Sequence, residues 1–175
     1  MGIALDQIVL AARRVRAYGE KLAEGISADR FAAKPRFGDT VIDCNHPAFI
    51  YGHLAIYPAR LGASLGLDTA SLAVPTSYAD LCKAGLPCND DPAASIYPPR
   101  DEVLAAYVRV YDNVCTMLGT VTDDVLTAPH PDPVVREKFF PTLGAATTFL
   151  LCAHPTMHLG QLSTWRRCMG LPGIM

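Results

Sequence analysis

His154-Pro155-Thr156-Met157-His158-Leu159-Gly160-Gln161 lies inside an apolar run from Pro141 to Met169, and the reading of that run decides the fold. Two histidines four residues apart sit one above the other on a helix, so both can turn a ring nitrogen toward one ion. In steps of three and four the same face continues to Gln161 and Trp165, and back to Leu150 or Leu151 and Thr147. That is a core-facing stripe. Inward imidazoles need polar partners. Two readings stand at this point: core histidines satisfied by ordinary hydrogen bonds, or ligands of a metal. The H-x3-H pair with a Gln one turn on, in an otherwise apolar segment, favours the metal, although spacing alone does not establish it. Pro155 lies between the two rings, removes an amide donor and crowds the carbonyl of Leu151. A kink or bulge is expected there, and with it an altered aim of the histidines.

Working outward, the last helix spans about Thr142 to Met169 and stops at Gly170 and Pro172, with Arg166 and Arg167 suiting its C-terminal dipole. A first helix is expected from Leu5 to about Glu24, with Leu5, Ile8, Ala12, Val15, Gly19 and Leu22 on one seam. Asn45-His46-Pro47 starts a second, Asn45 serving as N-cap, which runs to about Leu65 and ends at Gly66. Its inward stripe is Phe49, His53, Ile56 or Tyr57, and Arg60 or Leu61, and Pro58 should kink it. The third opens at Pro99 or Arg100 and carries Val103, Tyr107, Val110, Val114, Met117 and Val121 on one side. Between the second and third lies a long connection, Asp68 to Pro99, with a short helix at Ser77–Lys83. It is a lid or rim, or only a crossover. Thr122 to Pro141 is a second linker, and His130 within it suits an exposed loop. No useful strand alternation and no internal repeat occur. The expected fold is all-α, a four-helix bundle with one long crossover connection.

The 175 residues are half hydrophobic and 18% charged, which describes one globular domain over 1–175. A formal charge of −2 argues against a nucleic-acid partner. No stretch reaches the ~18–20 apolar residues of a membrane span. Near the N-terminus Asp6 comes early and the arginines follow the apolar part, the wrong order for a secretory signal, so the expected location is the cytoplasm. The six cysteines form no CxxC pair and are expected as free thiols. Cys152 faces away from the histidine stripe, and Cys44 is a candidate neighbour of the site.

His53 is thus a third inward imidazole, on a different helix. His46 lies two turns before it, ~10.5 Å away, too far to share an ion easily, and is taken as a first-turn or loop residue. Together Tyr51-Gly52-His53-Leu54, Pro98-Pro99-Arg100-Asp101-Glu102, and His154-x3-His158-x-Gly160-Gln161 followed by Arg166-Arg167-x2-Gly170 resemble the DinB-like (DinB/YfiT-like) superfamily of metal-dependent enzymes. The resemblance spans most of the chain, and Pro155 is its departure. It implies His53, His154 and His158 as metal ligands, with Gln161 supporting them rather than ligating. It also implies a small-molecule substrate and a homodimer. Family members include thiol S-transferases that use low-molecular-weight thiols, a thiol-dependent isomerase and hydrolases.

Three neutral imidazoles leave coordination positions open, as a catalytic metal requires. Zn²⁺ fits that donor set, and Ni²⁺, Fe²⁺ or Mn²⁺ fits a larger shell. A hydrolase wants a basic carboxylate or His near the metal, and no Glu or Asp falls on the histidine stripes. That tilts the reading toward thiol activation. Tyr57, one turn after His53, is either a phenol for the site or packing. The contrasting reading is a non-catalytic metal-binding or dimerisation bundle.

Overall fold

A computed structural model describes residues 2–174. Helix α1 is Ile3–Ala23, α2 Pro47–Ser64, α3 Thr76–Cys82, α4 Arg100–Met117, α5 Asp123–Thr127, α6 Pro133–Lys138, α7 Leu143–Thr148 and α8 His154–Cys168. The four long members are α1, α2, α4 and the α7–α8 path. Helix α1 packs on α4 and α8, and α2 packs on the same two. The fold is the all-α bundle read from the sequence. The connection between α2 and α4 is the long crossover, and α3 within it lies against α2. No helix among the described residues is long and apolar enough to cross a membrane.

The core follows the predicted seams. Leu5, Ala12 and Leu22 of α1 meet Val103, Tyr107, Val110 and Val114 of α4, all buried. Tyr51 of α2 donates its hydroxyl to the Gly19 carbonyl at 2.5 Å. Gly19 is small for a reason: a Cβ there would fall 2.4 Å from the Tyr107 hydroxyl.

Several local expectations need correction. The N-cap of α2 is His46, not Asn45: its Nδ1 accepts from the Phe49 amide at 3.2 Å. His46 is fully buried, and its Nε2–H donates to the Asn89 carbonyl at 2.9 Å. The ring therefore pins the crossover to the start of α2. Asp91 tightens the same loop by accepting from the amides of Ser95, Ile96 and Tyr97 at 2.9, 2.8 and 3.2 Å. The second linker contains α5 and α6, and His130 is buried rather than exposed, with Nδ1 accepting from the Asp132 amide at 3.2 Å. Arg36–Phe37 and Thr40–Val41 pair as a two-strand hairpin, β1 and β2, where no strand was expected. Each strand is two residues long and exposed, below what alternation can reveal.

Pro155 produces a bulge. The turn before it, Phe149–Ala153, is π-helical, and the His154 amide donates to the Phe149 carbonyl. Proline has no N–H for the fourth preceding carbonyl, and the wider turn accommodates that loss.

Arg166, expected only to suit the dipole at the end of the last helix, is buried. It is 2% exposed, and its guanidinium donates to Leu22 O at 2.8 Å, Glu24 O at 2.6 Å and Pro172 O at 3.2 Å. A cation there complements the C-terminal carbonyls of α1 and ties them to the chain beyond α8. Arg166→Met should leave those carbonyls without their donor and lower stability by about 3 kcal/mol. Urea denaturation of the two proteins measures the difference.

Candidate metal centre

His53 projects from α2, and His154 and His158 from the first two turns of α8. The three rings meet. His154 Nε2 lies 3.1 Å from His53 Nε2 and 3.1 Å from His158 Nε2. One ligand atom from each residue falls within 4.8 Å of the others. The spacing read from the sequence thus brings all three together despite Pro155, and the π turn sets the phase at which α8 begins.

The outward nitrogens fix the tautomers. His53 Nδ1 lies 2.6 Å from the Cys82 carbonyl, which can only accept, so Nδ1 carries the proton and Nε2 a lone pair. His158 Nδ1 lies 3.1 Å from Gln161 Oε1, an acceptor that also receives Asn45 Nδ2–H at 3.2 Å. His158 Nε2 is therefore also a lone pair facing the centre. His154 has no such anchor: its Nδ1 is buried without a hydrogen-bond partner. Packing holds it instead, between Tyr57 at 4.7 Å and Phe149 at 5.6 Å by ring centroids.

The Cys82 carbonyl reaches His53 because α3 lies close to α2. Gly52 permits the approach, since a Cβ there would stand 2.7 Å from Cys82 Sγ. Burial pushes the pKa of His53 down to about 4 and that of His154 to about 3. It lowers His158 as well, against the hydrogen bond to Gln161. Neutral rings are the ligating form.

The donor set fits a divalent ion. Two imidazole nitrogens at Zn–N distances of ~2.0–2.1 Å and a tetrahedral angle stand ~3.4 Å apart, close to the separations here. A proton on His154 Nε2 lies well along one of its two short N···N lines only, whereas a cation at the common point engages all three lone pairs.

Tyr57 packs its ring against His53 at 4.9 Å and against His154, and the Arg60 guanidinium lies over the Tyr57 ring, 5.3 Å from its centroid. Burial raises the pKa of its phenol. Gln161 is exposed and rims a groove, and Leu162 and Trp165 are the residues of that turn that enter the core. Cys44 lines the same groove as Gln161, and Cys152 turns to the Ile8 carbonyl, away from the histidines. Burial raises the Cys44 thiol, and pushes Cys82 up to about 12 and Cys88 to about 11. The supporting Cys82 carbonyl belongs to the backbone, so no residue type marks it in the sequence. Asn45 was read only as a cap.

A helical bundle that gathers three neutral histidines from two helices defines the class of this protein. The profile of the DinB superfamily matches residues 11–162, which include all three histidines, and the chain belongs to that superfamily. A search of curated proteins gives no significant match.

The pH response follows from the buried imidazoles. His46, His53 and His154 have folded pKa values of about 4, about 4 and about 3, below the ordinary 6.5 of the unfolded chain. Between these values the unfolded state binds more protons, so the stabilisation is whole above about pH 6.5 and is lost as pH falls toward 4 and below. Metal-free protein should show a thermal midpoint that declines through this window, and His46→Gln should flatten part of the decline.

Proposed function

We propose that the protein is a metal-dependent enzyme acting on a small molecule, with His53, His154 and His158 holding a divalent ion of zinc, nickel, iron or manganese. The observation that carries this reading is the convergence of three Nε2 atoms, with two rings locked so that their lone pairs point inward. A bound divalent ion would supply a Lewis acid that favours the deprotonated form of a thiol or water.

The chain's own residues do the rest. The Cys82 carbonyl and Gln161 orient His53 and His158, which keeps their donors away from the centre. Tyr57, Phe49 and Phe149 wall the rings and limit water around them. Among the described residues no carboxylate joins the histidine cluster, so a general base for hydrolysis is missing where it is needed. The nearby protein thiols are held protonated by burial. These two observations favour a thiol that arrives as substrate over a water nucleophile or a protein cysteine. The reaction class is then transfer to, or isomerisation of, a small electrophile assisted by a low-molecular-weight thiol.

Protein purified without an affinity tag should carry about one metal per chain by elemental analysis, and His158→Ala should lose most of it, with a fold intact by circular dichroism. Cobalt-substituted protein should gain a thiolate-to-metal charge-transfer band on addition of a small thiol such as cysteine. A native chain that takes up none of the four metals overturns the enzyme reading. A metal-loaded chain with no thiol band leaves the site and removes the thiol.

A further inference from the structure

Tyr57 lines a second groove, of about 500 Å³, whose lining also includes Arg60 from α2, His130, Asp132 and Phe140 from the linker, and Leu150 from the π turn. This groove borders the histidine cluster through a single ring, since Tyr57 packs on both His53 and His154.

His130 is the unusual member of the lining. It is 6% exposed, and three of its four polar atoms are paired within the chain. Its backbone N–H donates to Pro141 O at 3.2 Å, its carbonyl accepts from the Arg136 guanidinium at 3.1 Å, and Nδ1 accepts from the Asp132 amide at 3.2 Å. An amide only donates, so Nδ1 is a lone pair and Nε2 carries the proton of the ring. Nε2 has no hydrogen-bond partner among the described residues, and it is not one of the buried atoms sealed from solvent without one. The donor therefore opens on the groove that the ring borders. A donor on a buried ring calls for an acceptor, and the groove is where one can enter.

Arg60 brings a cation to the same groove. It makes no hydrogen bond or ion pair among the described residues, and its guanidinium lies over the Tyr57 ring. The face of an aromatic ring holds a guanidinium while leaving its N–H fork for an acceptor. Asp132 is the one carboxylate of the lining, and its Oδ1 accepts from the Val134 and Val135 amides at 2.8 and 3.2 Å.

We propose that this groove binds a small organic monocarboxylate. Its carboxylate pairs with Arg60, an oxygen of the same ligand accepts from His130 Nε2–H, and its apolar body lies against Phe140 and Leu150. A carboxylate matches the planar fork of a guanidinium. A phosphate dianion would set a second negative charge against Asp132 with one cation to offset it. A cationic ligand would meet Arg60 with like charge and His130 with a donor. The site goes beyond the metal reading and stands without it, because neither Arg60 nor His130 belongs to the histidine cluster.

The probes are 3-phenylpropanoate and its neutral counterpart 3-phenylpropanamide, titrated into the full chain by calorimetry, with saturation-transfer NMR as a second readout. The carboxylate should bind about tenfold more tightly than the amide, which loses the charge-assisted pair. A carboxylate can also ligate a metal, so metal-loaded and metal-free protein are both titrated, and the preference should appear in both. Arg60→Gln should bind the two probes alike with metal content unchanged, and Arg60→Lys should keep part of the preference. His130→Asn keeps an acceptor for the Asp132 amide but lacks the outer donor, so it should weaken the carboxylate by about fivefold with the fold intact by circular dichroism. A preference confined to metal-loaded protein assigns the carboxylate to the ion and overturns the inference. So does a preference that survives Arg60→Gln, an affinity unchanged in folded His130→Asn, or a native chain that does not bind the carboxylate. Metal uptake is measured separately, so loss of either claim leaves the other in place.

Discussion

Three imidazoles share one small buried volume, and that volume does not tolerate their protonation. Taking an imidazolium out of water is costly, and with His154 Nε2 3.1 Å from the Nε2 of each of the other two rings, any two that charge repel. The rings are therefore neutral, and a neutral ring has one donor and one lone pair. Once the donors of His53 and His158 are placed outward on Cys82 O and Gln161 Oε1, their lone pairs must converge. The closeness of α3, the glycine at position 52 and the seating of the crossover on His46 serve that arrangement.

Pro155 shows how a residue that disrupts a helix can position a site. An ordinary α-helix through Leu151 would leave that carbonyl without its donor and press it against the pyrrolidine ring. The chain instead takes one π turn over Phe149–Ala153, and α8 restarts at His154 with a new phase. The Cys152 carbonyl, in the same turn, receives the Thr156 hydroxyl at 2.7 Å. Wide turns of this kind concentrate at functional sites because they re-aim side chains without ending the helix. Here the aimed side chains are His154, directly after the turn, and His158, one turn on.

Much of this was legible in the residues because the bundle is written in helical period. The seams of α1 and α4, the inward His53, and the pairing of His154 with His158 all follow from steps of three and four. The errors fall where period carries no information. His46 was placed as a minor first-turn residue, yet a neutral ring with one donor and one acceptor serves as well as Asn45 in capping α2, and it also reaches the Asn89 carbonyl. His130 was read as exposed from its flanking prolines, but its burial comes from the fold of the linker around it. Arg166 looked like a dipole-complementing end residue. Its three carbonyl partners lie on α1 and beyond α8, contacts that no local pattern encodes.

The three ligand candidates are not equivalent, and the difference has mechanical content. His53 is anchored to a backbone carbonyl of a packed helix, which moves little. His154 has no polar anchor and is held by Tyr57 and Phe149. His158 is anchored to a side chain, Gln161, that is exposed and that shares its oxygen with Asn45 on the segment preceding α2. Whatever moves Gln161 also moves the acceptor of His158, and Gln161 stands on the groove wall. The orientation of one imidazole is therefore coupled by two hydrogen bonds to the occupancy of the groove, while the other two are insulated from it.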